Sequence, residues 1–192
     1  MYREEDMLTQ ERVLQIFKDS GALLHGHFKL TSGLHSDTYF EKFQVLQYPH
    51  YVEELCAELA RRFKDDDIEL VLGPTTGGVL LAYEVGKRLG TRGIFAEKGD
   101  GGRVLKRGFR IEPGQRVLVV DDVLTTGGSV RDTIAIVRQN DAVLAGVGLL
   151  VDRTGGAIDF GVKTESLLSL EVAKYEPAEC PLCKAGQPLT ET

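Results

Sequence analysis

The sequence contains no apolar run that approaches the roughly 18–20 residues needed to span a membrane. Its first residues, MYREEDMLTQ, are acidic and polar, and they lack the positively charged and then apolar order of a signal peptide. The 192 residues include only 3 cysteines, which is too few for a disulfide framework. We therefore expect a cytoplasmic protein whose cysteines are reduced.

Positive charge is also in short supply. Lysine and arginine number 23 against 29 aspartates and glutamates, and the net charge of −6 argues against a general nucleic-acid-binding surface. There is no internal repeat and no low-complexity linker. With 42% hydrophobic and 27% charged residues, the composition predicts one domain, residues 1–192, with a single core.

Two common nucleotide-binding patterns, GxxxxGK[ST] and GxGxxG, are missing, so a nucleoside triphosphate or a dinucleotide is not the first ligand to consider. The most informative stretch is instead residues 116–129, RVLVVDDVLTTGGS. Residues 117–120 form the continuous apolar run typical of a parallel strand that is buried on both faces. Asp121 and Asp122 follow this run, and residues 125–129 then form a turn of small residues that leads into an amphipathic segment.

This order of elements favours a phosphorylated ligand. In open α/β sheets, ligands bind outside the carboxyl ends of the strands. Glycines followed by a helix N-terminus offer unpaired backbone N–H groups to a phosphate. A carboxylate pair beside such a turn predicts a site for a phosphorylated sugar, which could include a divalent metal.

The flanking sequence supports an α/β fold. Strands are predicted at 68–72, 93–96, 117–120 and 142–151, and helices at 79–89 and 130–139, which implies a parallel sheet with right-handed crossovers. Helices are also predicted over residues 4–18 and from Pro49, and the tail after Asp152 is predicted to be irregular. Residues 22–43 are aromatic and β-like, and we interpret them as a separate small lobe.

The segment 97–110, here called the basic loop, carries five basic and two acidic residues in an acidic protein. A long glycine-containing loop of this kind is typical of a mobile lid or binding loop. A solvated hairpin is the alternative, because charged runs often only face water.

With these residues in view, VLVVDDVLTTGGS resembles the phosphoribosyl-pyrophosphate (PRPP) signature of the type I phosphoribosyltransferases. The stretches GALLHGHFKLTSGLHSDTYFEK, GPTTGG, FAEK, VDR and CPLCKAGQPL extend the resemblance to the orotate-using branch of that family over nearly the whole chain. The resemblance implies transfer of the phosphoribosyl group from PRPP to orotate, with Mg²⁺, giving orotidine 5′-monophosphate and pyrophosphate. It also implies a five-stranded parallel sheet flanked by helices, with a core over about residues 50–155. A small hood would come mainly from residues 20–45 with part of the C-terminal tail.

The resemblance assigns the PRPP half of the site. Asp121 and Asp122 would meet the ribose hydroxyls, directly or through water and Mg²⁺. The 5′-phosphate would be held by the residues that follow, and pyrophosphate by the glycine-rich loop 73–78 and by the basic loop, which would close over the neighbouring subunit of a homodimer. The further PRPP-binding candidates are Val123, Leu124, Thr125, Thr126, Gly127, Gly128, Ser129, Thr75, Thr76, Lys98, Lys106 and Arg107, with Lys98 also catalytic.

For the base, the resemblance assigns Arg153 of VDR to orotate, and a guanidinium suits a carboxylate or carbonyl edge. Thr125, the aromatic pair Tyr39 and Phe40, and Lys29 are the other orotate candidates. A surface role for Arg153 and a core role for the aromatic pair are the alternatives.

Three positions depart from the family pattern. Thr31 and Gly77 stand where the family often has lysine, and Glu97 stands where it often has arginine. Because all three would contact ligand, two other functions stay open: a related transferase that uses another base, and a regulator that binds PRPP as a signal.

Two partial metal patterns are also present. His25-x-His27 lacks a third ligand nearby, and Cys180-x-x-Cys183 is half of a zinc pattern. We interpret them as part of a hood strand and as a turn in the tail, and leave open a site shared across a dimer.

Overall fold

A computed structural model describes residues 7–30, 32–170 and 172–191. The helices are α1 (Gln10–Asp19), α2 (Lys42–Leu46), α3 (Pro49–Arg62), α4 (Gly77–Leu89), α5 (Gly128–Gln139) and the single turn α6 (Pro181–Lys184). The strands are β1 (Leu23–Lys29), β2 (His35–Phe40), β3 (Leu70–Pro74), β4 (Arg92–Gly99), β5 (Gly102–Val104), β6 (Arg116–Leu124), β7 (Val143–Asp152), β8 (Thr164–Ser169) and β9 (Thr190–Glu191).

The central sheet has the order β5-β4-β3-β6-β7-β8. Five of these strands are parallel, and only β5 runs antiparallel to its neighbour β4. The predicted α/β fold with five parallel strands is confirmed.

Alternate residues of the central strands enter two different cores, as a period of two requires. On β6, Leu118 and Val120 pack with α1, α3 and α4, whereas Val117 and Val119 pack with α5. Helices therefore cover both faces of the sheet, which explains why the strand sequence is continuously apolar.

Two local predictions about helix ends are confirmed. Pro49 is the first residue of α3, where its missing N–H costs nothing. Gly90 ends α4 in the left-handed region, with φ of 70°. The first helix begins at Gln10, capped by the Thr9 side chain, and residues 4–6 of the predicted helix lie outside the described residues.

One other expectation needs correction. The tail after Asp152 is not irregular throughout, because β8 pairs with β7 through backbone hydrogen bonds. Its sequence, TESLLS, does not alternate between apolar and polar residues, so it could not have revealed an edge strand. The first half of the basic loop is a hairpin formed by the end of β4 and β5, and the predicted role of this loop as a lid or binding loop stays a prediction.

A second, smaller sheet has the order β2-β1-β9, and we call it the hood sheet. β1 and β2 come from the segment predicted to form a hood, and β9 adds to β1 from the C-terminal tail. The end of the hood sheet near β9 buries His27 and His35. Across the described residues, no helix is both long enough and apolar enough to cross a membrane.

Candidate active site

Four neighbouring strands of the central sheet end at one edge, and the loops that follow them carry the predicted ligand-binding residues. The loops are the glycine loop (residues 73–78) after β3, the basic loop after β4, the phosphate turn (residues 125–129) after β6, and the turn after β7 that begins at Arg153. Because parallel strands align their carboxyl ends, these segments converge on one crevice.

The acid pair of β6 is buried at this edge. Asp121 is 5% exposed and Asp122 is 2% exposed. Asp121 Oδ1 accepts the Asp122 N–H at 2.9 Å, and Asp122 Oδ1 accepts both the Val123 N–H at 2.7 Å and Lys42 Nζ at 2.9 Å. Within the described structure, Asp122 Oδ2 has no hydrogen-bond partner. This buried oxygen is therefore an unsatisfied hydrogen-bond acceptor beside the crevice.

Burial, and then the negative charge of Asp122, raises the pKa of Asp121 to about 7. Hydrogen bonds from the Asp122 N–H and the Ser129 side chain, together with the charge of Lys42, act in the opposite direction. Two carboxyl groups this close cannot both lose their protons easily, because their negative charges repel each other. A positive charge on a ligand would reduce this repulsion, so the pair would attract it.

Gly77, at the start of α4, lies against the unpaired oxygen. A Cβ placed on Gly77 would sit 1.8 Å from Asp122 Oδ2 and 3.0 Å from Leu46 Cδ1. Any side chain at position 77 would therefore displace the Asp122 carboxylate from this arrangement. Lys42, which follows β2, forms an ion pair with Asp122 at 2.9 Å.

The phosphate turn presents unpaired backbone N–H groups. Gly127 has a φ of 77°, and the first hydrogen bond of α5 runs from the Arg131 N–H to the Gly127 carbonyl at 2.9 Å. The N–H groups of Gly128, Ser129 and Val130 precede that bond, and no side chain caps the helix. Together with the positive end of the helix dipole, they can hold a phosphate.

The glycine loop makes a tight turn between β3 and α4. A Cβ on Gly73 would lie 2.0 Å from the Gly78 carbonyl oxygen, so the turn requires the close approach that glycine allows. The Thr75–Thr76 peptide bond is cis. The Thr75 N–H donates to the Ala96 carbonyl at 2.9 Å, which ties this loop to β4.

Arg103 of β5 joins the two anion-binding segments. Its Nη1 donates to Thr75 Oγ1 at 3.2 Å and to the Ala96 carbonyl at 3.3 Å, and its Nη2 donates to Ser129 Oγ at 3.0 Å. A guanidinium group therefore lies between the glycine loop and the phosphate turn. Arg103 is not among the residues of the basic loop that were predicted from the sequence to bind PRPP.

The three selected cations of the basic loop lie further out. Lys98 and Lys106 are exposed, and Arg107 is 63% exposed and pairs with Glu97 at 2.8 Å. Their predicted contacts with PRPP stay predictions.

A cavity of about 340 Å³ opens beside the phosphate turn, and we call it the aromatic cavity. It brings together four of the five orotate candidates. Its lining residues are Leu30, Ser32, Tyr39, Phe40, Lys42, Val123, Thr125, Thr126, Arg153 and Lys174.

Arg153 lines this cavity and has one hydrogen-bond donor without a partner. Its Nε is buried and, among the described residues, has no hydrogen-bond partner. Burial lowers the pKa of Arg153 from its ordinary value, and the charge of Tyr39 opposes this shift. The preceding Asp152 accepts the N–H groups of Thr154 and Gly156, which fixes the turn that carries Arg153. The cavity therefore suits a flat ligand that has a hydrogen-bond acceptor on its edge.

Lys29 lies apart from the lining residues of the aromatic cavity and forms an ion pair with Glu191 at 2.9 Å, across the pairing of β1 with β9. Thr31 lies outside the described residues. Lys42 and Lys174 line the cavity but were not selected from the sequence. Lys42 follows the aromatic pair by two positions, but its contact with Asp122 has no local signal in the sequence, and neither has the position of Lys174.

Comparisons with known proteins agree with this geometry. The family described as "Phosphoribosyl transferase domain" matches residues 44–159. The chain is 54% identical over 181 residues to the orotate phosphoribosyltransferase of Pelotomaculum thermopropionicum, covering 94% of this chain and 95% of that protein. It is 50% identical over 184 residues to the orotate phosphoribosyltransferase of Caldanaerobacter subterraneus subsp. tengcongensis, covering 96% and 97%.

Among solved structures, the crystal structure of orotate phosphoribosyltransferase from Aeropyrum pernix matches with a TM-score of 0.69 and 29% identity, covering 83% of this chain and 94% of that one. The matches span nearly the whole chain and include every loop of the crevice. The chain therefore belongs to the phosphoribosyltransferase family, among the relatives named orotate phosphoribosyltransferase.

Proposed function

We propose that this protein transfers the 5-phosphoribosyl group from PRPP to orotate, releasing pyrophosphate and forming orotidine 5′-monophosphate. One observation carries the proposal: the aromatic cavity, with the unpaired Nε of Arg153, opens directly onto Thr125 and Thr126 of the phosphate turn. A base in the cavity and a ribose 5-phosphate on the turn would then lie side by side. Orotate has the carboxylate and carbonyl edge that a guanidinium binds.

Catalysis would come mainly from position and electrostatics. As the bond to pyrophosphate breaks, positive charge develops on the ribose, and a buried carboxylate pair beneath it would stabilise that charge. Asp121 and Asp122 would accept hydrogen bonds from the ribose hydroxyls. Lys42 and the Val123 N–H hold one oxygen of Asp122 and so fix the orientation of its carboxylate.

The donor set also fits Mg²⁺, which binds carboxylate and phosphate oxygens. Asp122 Oδ2 is a buried carboxylate oxygen without a partner in the described structure, and Asp121 lies beside it. The two acids would hold the ion together with PRPP. When bound, Mg²⁺ would neutralise negative charge on the pyrophosphate leaving group.

The leaving group would lie between the glycine loop and the basic loop. Arg103 already spans Thr75 and Ser129 and is placed to meet pyrophosphate oxygens there. We also propose that the enzyme is a homodimer in which Lys98 reaches the neighbouring subunit's site. Two exposed apolar side chains on α4, Leu80 at 45% and Tyr83 at 69%, support such a contact surface.

The decisive measurement is loss of orotate absorbance by purified protein supplied with PRPP and Mg²⁺, together with release of pyrophosphate. We expect turnover with orotate and little with other pyrimidine or purine bases. Turnover of another base in place of orotate would support the related transferase. Nucleic-acid binding without turnover of any base would support the PRPP-sensing regulator.

A variant of the acid pair tests its proposed role at the ribose. The double variant Asp121→Asn and Asp122→Asn keeps shape but removes charge, so kcat should collapse while the circular dichroism spectrum is retained. Turnover close to that of the wild type would refute the ribose role. The single-domain organisation and the cytoplasmic location stay predictions.

A further inference from the structure

The distal end of the hood sheet contains four metal-binding side chains that the active site does not use. His27 lies on β1, His35 on β2, Cys180 is the N-cap of α6 in the tail, and Cys183 lies within the single turn of α6. One potential ligand atom from each of the four lies within 4.8 Å of all the others. These residues are separated by up to 156 positions in sequence, so only the fold brings them together.

Most of the separations among these atoms are close to those of a tetrahedral site. His27 Nε2 lies 3.0 Å from His35 Nδ1, and Cys183 Sγ lies 3.6 Å from the first nitrogen and 3.3 Å from the second. Cys180 Sγ lies 3.5 Å from His27 Nε2. Zinc bonds of about 2.0–2.3 Å at tetrahedral angles place ligand atoms about 3.3–3.8 Å apart. The three nitrogen–sulfur distances fall in this range, and the two nitrogens would have to separate slightly when an ion binds.

A further contact orients one ligand as metal sites require. His27 Nδ1 lies 2.9 Å from the Gln187 carbonyl oxygen, so this nitrogen carries the proton and donates it. The Nε2 lone pair of His27 then points at the other three ligand atoms. A metal-binding histidine usually donates its second nitrogen to a carbonyl or carboxylate in this way.

Burial and charge point to the same ion. His27 is 3% exposed, His35 5% and Cys180 0%, whereas Cys183 is exposed and leaves a path for entry. Two thiolates and two neutral imidazoles around a divalent ion carry no net charge, so the burial of the centre is inexpensive. A tetrahedral set of two sulfurs and two nitrogens suits zinc, and it is unsuited to Mg²⁺, which prefers oxygen.

We propose that His27, His35, Cys180 and Cys183 bind one structural zinc ion, which fastens the C-terminal tail to the hood sheet. The ion would replace an apolar core at the end of a sheet of only three strands. The effect would extend to the active site, because β2 carries both His35 and the cavity residue Tyr39, and Tyr175, next to Lys174, pairs with His35.

The first test is the zinc content of the full chain, purified without a histidine tag, supplied with zinc and then dialysed. We expect about one zinc per chain in the wild type and at least about tenfold less in Cys180→Ser with Cys183→Ser. His25→Ala is the matched control, because His25 is exposed, lies on the same strand and is outside the cluster. This variant should keep its zinc. A wild type without zinc, or a double variant with the same zinc content, would overturn the proposal.

A second test does not depend on the folding of any variant. Wild-type protein stripped of metal and given Co²⁺ alone should show intense visible bands of tetrahedral cobalt and charge-transfer bands from the thiolates. Weak octahedral bands without thiolate transitions would mean that the four residues do not bind the metal and form only a hydrogen-bonded group. A Cys180–Cys183 disulfide in the zinc-treated protein would also overturn the proposal, because it would remove both thiolates.

Discussion

At the scale of single residues, the Asp122 carboxylate shows how the site is prepared for its ligand. One oxygen is held by Lys42 and a backbone N–H, and the other is buried over Gly77 without a partner in the described structure. A buried polar atom without a hydrogen bond costs about 1–3 kcal/mol. The rest of the fold must offset this cost.

The contact between Gly77 and Asp122 predicts the effect of one added methyl group. In Gly77→Ala the Cβ would overlap Asp122 Oδ2, so the carboxylate would have to move by an ångström or more. We expect kcat to fall by about 100-fold, because such displacements of a catalytic group have effects of this size. Steady-state kinetics would measure the loss, with thermal denaturation to show that the variant still folds. Unchanged kcat would mean that the position of Asp122 is not critical.

Arg153 should determine the affinity for the base. Arg153→Lys keeps the charge but loses the planar fork, so we expect the KM for orotate to rise at least about tenfold with little change in the KM for PRPP. Lys29→Ala is the informative comparison, since Lys29 pairs with Glu191 outside the cavity. Its KM for orotate should change by less than about threefold, given the small energy of exposed ion pairs. A larger change would support the prediction that Lys29 binds orotate.

Cys56 in α3 should make stability depend on alkaline pH. Burial, and then the charge of Glu84, raises its pKa from 9.0 to about 12. Because the folded pKa is the higher one, this stabilisation is complete below pH 9.0 and is lost as the pH rises toward about 12.

The free energies of urea unfolding of the wild type and of Cys56→Ala should therefore depend differently on pH above pH 9.0. The difference in the free energy of unfolding should decline by up to about 1.4 kcal/mol per pH unit. A constant difference between the two proteins would contradict a raised pKa.

At the scale of elements, the hairpin of β4 and β5 connects the basic loop to both anion-binding segments through Arg103. Arg103→Ala should lower kcat/KM for PRPP by about 10- to 100-fold, the range expected for hydrogen bonds to charged groups. Arg107→Ala is the matched control, because Arg107 makes an exposed pair with Glu97. We expect less than about a threefold effect there. A larger loss of kcat/KM in Arg107→Ala than in Arg103→Ala would favour Arg107, the residue predicted from the sequence.

The elements also show what a sequence can reveal. β6 and the phosphate turn could be predicted because their signals are local: an apolar run, two acids, then small residues. β8 could not be predicted, since its six residues do not alternate between apolar and polar and the strand forms only by pairing with β7. Lys42 meets Asp122 across 80 positions, and a contact of that kind has no local pattern. Of the proposed zinc ligands, His27 and the two cysteines stood in two separate partial patterns, and His35 stood in neither.

At the scale of the whole molecule, the proposed dimer predicts complementation between two inactive variants. In a mixed dimer of Lys98→Ala with Asp121→Asn, one site would hold both native residues if Lys98 acts across the interface. Mixing the two variants in equal amounts and allowing subunit exchange should restore about a quarter of wild-type activity. Half of the dimers would then contain one subunit of each variant, and each of these would have one native site of its two. If Lys98 acts within its own subunit, the mixture should stay inactive.

The hood sheet has a consequence for how the protein reaches its native state. His27 contacts Gln187 and Cys180 across 160 and 153 positions, so this end of the hood closes a very large loop. Contacts of such long range form slowly, whereas the βα units of the central sheet are more local. In refolding experiments the helix signal should therefore return before activity does. The molecule would pass through a stage in which it can bind a phosphate but has no completed pocket for the base.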